Sequence, residues 1–553
     1  MTQKLRKMKT KIKKWILAVF VTITVAISAG FQSDFFEIAK QIDIYTTMFK
    51  ELNMYYIDEV NPGELTTKSI NYMLGNLDPY TRFYDEQGVE DARIRATGEY
   101  GGIGAISKFK NKTVTIREIL KNSPAEKAGL KPGDKILKIG DLEVKDFKEI
   151  GVSSVLNGLP NTKVILKIER QNKVLDVEVT RKKISVSSVP FYTMIDAEVG
   201  YISFVQFNEK AAEEVKTAFL ELKEEGMKKL IIDVRSNPGG LLNEAVTIVN
   251  FFIPKDKVVV TTKAKTKKES ATYKTRNEPI DLEIPLTILI NNRSASASEI
   301  LAGALQDYDR AVVLGERSFG KGLVQRYKPL SYGTQMKLTI SKYYTPSGRC
   351  IQELDYTNRD DKGNIPKFSD AGRETYKTEK GRTVFGGGGI LPDVEIEKPT
   401  TTKTTEILLN SDAFFNYATN YFYNNPTILE PSKFNLKDED FDALLKYLSK
   451  NNNDFETETE TEFNKAREKA TSENLGKNLE KKYTDLLEVI HSEKLIELEK
   501  NKEEIIEKLT EEIVKRYFYI EGVYQQKAVF DPTILKASNI LNNNVNYLKV
   551  FQN

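Results

Sequence analysis

The chain has 553 residues, enough for several domains, with 82 Lys and Arg against 79 Asp and Glu and a formal net charge of +3. Hydrophobic residues make up 40% and charged residues 29%, which fits a globular protein with a hydrophilic tail. A single cysteine, Cys350, and a single histidine, His491, exclude an intramolecular disulfide and Cys/His metal clusters; no metal site and no cofactor are expected.

The first 14 residues hold seven Lys or Arg and no acid. An apolar run from Trp15 to Phe31 follows, with the small residues Ala26, Ser28, Ala29 and Gly30 near its end. Residues 1–31 therefore read as a Sec signal peptide or an N-terminal membrane anchor. The run is short beside the roughly 20 residues of a membrane span, so cleavage near Gly30 and retention both stay open. The expected address is exported, in the periplasm or on the periplasmic face of the inner membrane. No cysteine ends the run, which excludes a bacterial lipoprotein. Subtracting the seven leading charges from +3 leaves −4, so nucleic-acid binding has no electrostatic support.

Residues 32–97 predict a helical region. Phe35, Ile38, Ile42, Tyr45 and Phe49 recur at helical spacing and read as the packing face of an arm, and Leu77-Asp-Pro-Tyr80 interrupts the pattern. Residues 98–183 change character. A glycine-rich stretch, Gly98 to Ala105, precedes short β-like runs at Thr113–Ile119, Lys135–Ile139, Lys163–Ile168 and Leu175–Val179. Between them, Ser123 is placed to cap a short helix, Pro124 to open it, Gly129 to end it and Pro132-Gly133 to turn the chain. This segment resembles a PDZ domain, through Gly101-Gly-Ile-Gly-Ala105 followed by Pro124-Ala-Glu-Lys-Ala-Gly-Leu-Lys-Pro-Gly-Asp134. The resemblance makes Gly101, Gly102, Ile103, Gly104 and Ala105 the expected peptide-binding loop. Glycines there let backbone N–H groups converge on a carboxylate while the peptide adds a strand to an open edge.

Residues 184–400 alternate strand and helix. Strands are expected at Val199–Phe204, Lys229–Val234, Leu286–Asn291 and Ala311–Leu314. Helices are expected at Glu209–Glu225, Glu244–Phe252 and Ala297–Tyr308. Such a layout puts chemical groups at strand ends and helix N-termini. Residues 401–553 read as a helical domain of unknown role. Glu456 to Glu462 is expected to be a solvated acidic segment, and the charges of Glu497–Lys515 an exposed helix face.

The chemistry concentrates in Asn292-Arg-Ser-Ala-Ser-Ala-Ser-Glu299 and Phe319-Gly-Lys-Gly322. With the one histidine remote, a Ser-His-Asp triad has no base, and a serine nucleophile with a lysine base is the alternative. Ser294, Ser296 and Ser298 compete. If a helix begins near Ala297, Ser296 stands at its N-cap, in the positive field of the helix terminus, and the Ala297 N–H faces an oxyanion. Ser298 then falls in the first turn, as a capping or packing hydroxyl. Lys321 is the expected base, provided that burial lowers its pKa from about 10.4. Gln325 is the expected partner of its amine, less securely if the segment is a strand. The turn Asn237-Pro-Gly-Gly240 is the natural second oxyanion donor, because glycine permits close backbone approach.

Ser296 and Lys321 in these contexts, with Gln325, Leu77-Asp-Pro-Tyr80, the PDZ-like segment, Asp233-Val-Arg-Ser-Asn-Pro-Gly-Gly240 and Tyr343-Tyr-Thr-Pro-Ser-Gly348, resemble the C-terminal processing (tail-specific) serine proteases over residues 35–400. The resemblance implies a multidomain α/β protein with a crotonase/ClpP-like peptidase core and an inserted PDZ domain. It makes Ser296 the nucleophile, Lys321 the base, Gln325 its orienter, and the backbones of Ala297 and Gly239 or Gly240 the oxyanion donors. Polypeptides with free apolar C-termini are the expected partners; membrane anchoring through residues 15–31 and a homo-oligomer stay open. A non-catalytic tail-binding chaperone or adaptor is the main rival, and a hydrolase of small acyl compounds a third reading. Asp307 is expected in a structural ion pair or cap near Arg310, and Cys350 to be buried and inert.

Overall fold

The computed structural model describes residues 35–552 except 147–154, 361, 369–371, 397–399, 452–454 and 476. The apolar run at 15–31 lies outside the described residues. Among the described residues, no helix is long and apolar enough to cross a membrane.

Two compact units divide the chain, Met1–Phe83 and Tyr84–Asn553. In the first, helices span 35–55 and Pro62–Gly75. Asn61 caps the second, accepting from Glu64 N–H, and Pro62 sits where no intrahelical donor is needed. Asp78 then bends the chain: its Oδ1 accepts from the N–H groups of Tyr80 and Thr81, both at 2.8 Å, a carboxylate-built turn. The apolar stripe does not pack as the sequence predicts. Phe35 is 71% and Ile42 62% exposed, because nothing among the described residues of this unit covers that face.

In the second unit, helix Glu86–Thr97 leads into the PDZ-like segment. Its sheet runs Ala105–Lys110, Thr113–Ile119, Lys135–Ile139, Lys163–Arg170 and Lys173–Thr180, all antiparallel. The alternation of Val114, Ile116, Ile136, Leu166 and Ile168 turns one face into a core. Ser123 caps helix Pro124–Lys127, its hydroxyl accepting from Glu126 N–H at 3.2 Å. Gly129, at φ +77°, ends the turn as expected. Ala105–Lys110 stands at one edge of the sheet.

The following residues build a six-stranded sheet in the order Phe191–Met194, Val199–Ser203, Lys229–Asp233, Leu286–Ile290, Val312–Gly315 and Val394–Glu395, parallel except for the first pair. Strands of Lys-Leu-Ile-Ile-Asp and Leu-Thr-Ile-Leu-Ile type are apolar on both faces, so both faces must be covered. Helices Ala211–Glu224, Leu242–Asn250 and Ala297–Asp307 cover one face, against Ile202, Leu230, Ile232, Ile288 and Val313. The other face, Val199, Tyr201, Ile231, Leu289 and Leu314, is covered by Ile534, Ala537 and Leu541 of helix Pro532–Asn542, and by Tyr547. The C-terminal region is therefore a structural layer of the central sheet. A second, antiparallel sheet joins Val258–Ala264, Ala271–Lys274, Gln335–Tyr344 and Leu323–Pro329.

Two sequence expectations for the C-terminal region are corrected. The acidic segment is not simply solvated. Thr457 and Glu460 form a capping box for helix Glu458–Ser472, and Glu460 is buried in an ion pair with Lys494 at 2.8 Å. Nor is Glu497–Lys515 one exposed face. In helix Lys502–Phe530, Lys515 lies 3.6 Å from Glu118 of the PDZ-like sheet, and Tyr519 donates to Glu126. Charge periodicity marks a surface helix, but the face it solvates is shared with charges of the PDZ-like sheet.

Candidate active site

Strand Leu286–Ile290 delivers the chain into the tight segment before helix Ala297–Asp307. Small residues are needed there, because the turn Asn237–Gly240 lies against it. A Cβ on Gly239 would sit 2.6 Å from Ala295 O and 2.8 Å from Ala297 N, and one on Gly240 would sit 2.2 Å from Phe207 O. Both glycines also hold positive φ, +92° and +150°. Asn237 ties the two segments: its carbonyl accepts from Ala295 N–H at 3.0 Å and from the Ser298 hydroxyl at 2.9 Å.

The three serines separate cleanly. The Ser294 hydroxyl donates to Val234 O at 2.7 Å, the Ser298 hydroxyl to Asn237 O, and both side chains are fully buried. Ser296 is half-buried, stands at the helix N-cap as the sequence predicts, and its hydroxyl donates to no acceptor among the described residues. Its backbone is at φ +57°, ψ −111°, a region costing a residue with a Cβ about 1–3 kcal/mol. The fold thus bends the chain to present this one hydroxyl.

The N–H of Ala297 donates to no protein acceptor among the described residues, nor does that of Gly240. The N–H of Gly239 is already committed to Asn237 Oδ1 at 2.9 Å. Of the two glycines offered by the sequence, Gly240 is the one with a donor to spare.

Glu299, in the sequence run but without a predicted role, organises the rest. Its side chain is fully buried. Oε2 accepts from Ser296 N–H at 2.7 Å and from Lys321 N–H at 3.0 Å. Oε1 accepts from the Ser318 hydroxyl at 2.6 Å and from Gly320 N–H at 2.7 Å. Burial pushes the carboxyl above its ordinary range, opposed by these four donors. The shared oxygen bounds the Ser296 and Lys321 nitrogens to about 5.7 Å, the sum of 2.7 and 3.0 Å. The S-x-x-E spacing of a capping box was the available signal for Glu299.

Lys321 is half-buried at the entry to strand Leu323–Pro329. Gln325 lies in that strand, and its amide donates to Thr339 Oγ1 at 3.3 Å. A bulge between Val324 and Gln325 breaks the simple alternation of faces. Tyr343 donates to Ser296 O at 3.2 Å. Asp307 is in a structural pair as expected, but with Arg349 at 2.8 Å; Arg310 instead donates to the carbonyls of Phe252, Asp281 and Ile284. Cys350 is half-buried, with its thiol pushed up by burial.

In the PDZ-like segment, Gly101 and Gly102 pair with Lys183 and Lys182 in a short antiparallel ladder. Ile103 is buried and Gly104 is at φ +74°. Their carbonyls accept from Ala125 and Leu120, while their N–H groups donate to no acceptor among the described residues. Ala105 begins the edge strand.

Comparison with known proteins places names on these segments. Peptidase family S41 is matched over residues 198–358, a PDZ domain over 101–180, and "Probable PDZ-protease, C-terminal helical domain" over 404–541. A "Probable CtpA-like serine protease" of Staphylococcus aureus (strain MRSA252) is 36% identical over 307 residues, 55% of this chain and 61% of the relative. The chain thus spans just under two thirds of that relative's length. The protein of the same name from Staphylococcus saprophyticus subsp. saprophyticus is 34% identical over 341 residues, 61% of this chain and 68% of the relative. The solved photosystem II D1 C-terminal processing protease is 26% identical, covering 64% of this chain and 92% of its own, with a TM-score of 0.35.

Proposed function

The chain belongs to peptidase family S41, of the C-terminal processing type, and from that premise we propose that it is a serine endopeptidase acting through Ser296 and Lys321 on exported proteins with free apolar C-termini. One observation carries the reading. Among the described residues, the hydroxyls of Ser294 and Ser298 donate to backbone carbonyls and that of Ser296 donates to none, while the Ser296 N–H shares a carboxylate oxygen with that of Lys321.

In this mechanism, Ser296 Oγ attacks the scissile carbonyl and its proton passes to the neutral Lys321 amine. Negative charge on the carbonyl oxygen is held by the N–H groups of Ala297 and Gly240, donors that need no reorganisation. Lys321 then protonates the leaving amine. Water attacks the acyl-Ser296 ester, Lys321 takes its proton, and Ser296 recovers its own. Gln325 orients the lysine. No step calls for a metal or cofactor.

Ile103 and Gly104 offer N–H groups to a terminal carboxylate, and the edge strand Ala105–Lys110 offers its free side to the residues before it. The N-terminal run at 15–31 exports the chain or anchors it to the membrane. Purified protein should cleave a polypeptide ending in a free apolar C-terminus faster than its C-amidated twin. Equal rates on the two would remove tail recognition. Turnover of the free-ended substrate by Ser296→Ala at the wild-type rate would remove Ser296 as nucleophile, and binding of that substrate without cleavage by the wild type would leave a tail-binding adaptor.

A further inference from the structure

We propose that Asp531, in the C-terminal helical region, is a positioning residue for the oxyanion turn, acting through Arg235. The inference rests on the peptidase reading above.

Arg235 follows strand Lys229–Asp233 and opens the segment that becomes Asn237–Gly240. Its partly buried guanidinium lies between two carboxylates. Nε and Nη2 donate to Asp233 at 2.9 and 2.6 Å, and Nη1 donates to Asp531 Oδ2 at 2.8 Å. Asp233 is held in turn by the Tyr201 hydroxyl at 2.9 Å. Asp531 is anchored from its own side, its Oδ1 accepting from Thr533 and Ile534 N–H at 2.8 and 3.1 Å as the cap of helix Pro532–Asn542. That helix lies flat on the central sheet, so the carboxylate is a fixed point.

The strand end is also where the backbone is strained. Ser236 has φ +60°, with its N–H on Asn291 Oδ1 at 2.8 Å. Asn237 comes next, and its amide and carbonyl set Gly239, Ala295 and Ser298. A guanidinium held at both ends fixes where this turn starts. Held only by Asp233, two positions earlier at the end of the strand, it moves with the turn instead of restraining it.

Chain continuity gives the contact a wider reach. Asp531 directly follows helix Lys502–Phe530, which touches the PDZ-like unit through Lys515 and Tyr519. Nearly 300 residues of sequence separate Asp531 from Arg235, which is why no local pattern marks it.

Asp531→Asn keeps the cap, since asparagine accepts equally well there, and removes only the charge facing Arg235. With the full chain and a free-ended polypeptide substrate, kcat should fall about 10- to 100-fold while KM stays within about twofold, because a misplaced oxyanion donor is felt in the transition state. Arg235→Lys, which cannot bridge two carboxylates in the same way, should give the same split. The double variant should be no slower than the slower single, since both break one contact. Wild-type kcat in Asp531→Asn, or losses that multiply in the double variant, would overturn the inference. Should Asp531→Asn fail to fold, Arg235→Lys decides: a lowered kcat at unchanged KM supports the contact, and wild-type kcat overturns it. Equal turnover by wild type and Ser296→Ala would instead sink the parent reading, and this one with it.

Discussion

The backbone N–H groups of Ser296 and Lys321 donate to one oxygen, Glu299 Oε2, at 2.7 and 3.0 Å. Two residues 25 apart in sequence are thereby fixed on a single buried atom. The Ser296 turn and the segment that leads from Lys321 into strand Leu323–Pro329 cannot move independently while that carboxylate is ionised.

Glu299→Gln should therefore be more damaging than the loss of one hydrogen bond. An amide that turned its NH2 to any of these donors would face N–H with N–H. The expected loss is about 100-fold in kcat, comparable to removal of an oxyanion donor. Steady-state cleavage of a free-ended polypeptide by the two proteins measures it. A variant within threefold of wild type would show the carboxylate to be dispensable.

The same group gives a pH dependence. Burial raises the Glu299 carboxyl, so it protonates at a pH above its unfolded value of about 4.3. Between the two values the folded state binds more protons, so this group's share of stability decreases as pH rises through that window. Activity runs the opposite way, because only the anion accepts from all four donors. kcat should show an acid limb above the ordinary carboxylate range that is absent from the residual activity of Glu299→Gln. An identical limb in both proteins would assign it elsewhere.

Ser294→Ala and Ser298→Ala should each cost about 1–3 kcal/mol of stability, by leaving a buried carbonyl short of its donor. Both should still turn over. Thermal unfolding and kcat measured on the same samples separate this from Ser296→Ala, which should unfold normally and be inactive. A dead Ser298→Ala with wild-type stability would move the nucleophile.

Gly240→Ala should abolish turnover, since its Cβ would meet Phe207 O at 2.2 Å on a backbone at φ +150°. Kinetics on folded variant protein check this, with circular dichroism as the control. Wild-type turnover would exclude this turn as the oxyanion donor.

Asp412 links the C-terminal region to the PDZ-like sheet, contacting Lys110 at 2.6 Å, Lys108 at 3.1 Å and Arg117. Partial burial opposes its ionisation, but Lys110, Arg117 and Lys108 outweigh burial and hold the carboxyl well below the usual carboxylate range. The folded state then binds fewer protons than the unfolded one. The contribution is full above the unfolded pKa of about 3.9 and is lost as pH falls below it. Asp412→Asn should cost about 1–3 kcal/mol at neutral pH and flatten this acid dependence. Denaturant unfolding at a series of pH values tests it, and parallel curves for the two proteins would contradict it.

Much of this arrangement was legible in the sequence. Strands Thr113–Ile119 and Lys135–Ile139 and the Ser123-Pro124 helix entry follow from local pattern, and so does the place of Ser296 at the N-cap of a helix that begins at Ala297. What escaped was tertiary. Glu299 could be seen as one half of a capping box, but its other partners, Ser318, Gly320 and Lys321, come from a separate loop. Gly239 and Gly240 look alike in sequence, and only the Asn237 side chain tells them apart. The acidic run at 456–462 looked solvated because Lys494, which buries Glu460, lies 34 residues on. The C-terminal helices were read by charge alone, whereas Ile534, Ala537 and Leu541 make them one wall of the central sheet.

The central claim is that Ser296 and Lys321 act as nucleophile and base. Its most direct test is kcat/KM for cleavage of one free-ended polypeptide by wild type, Ser296→Ala and Lys321→Ala, each shown to be folded. The account predicts that either substitution alone lowers kcat/KM by about 10⁴-fold or more, as for other paired nucleophiles and bases. Cleavage by either variant within tenfold of wild type would contradict it.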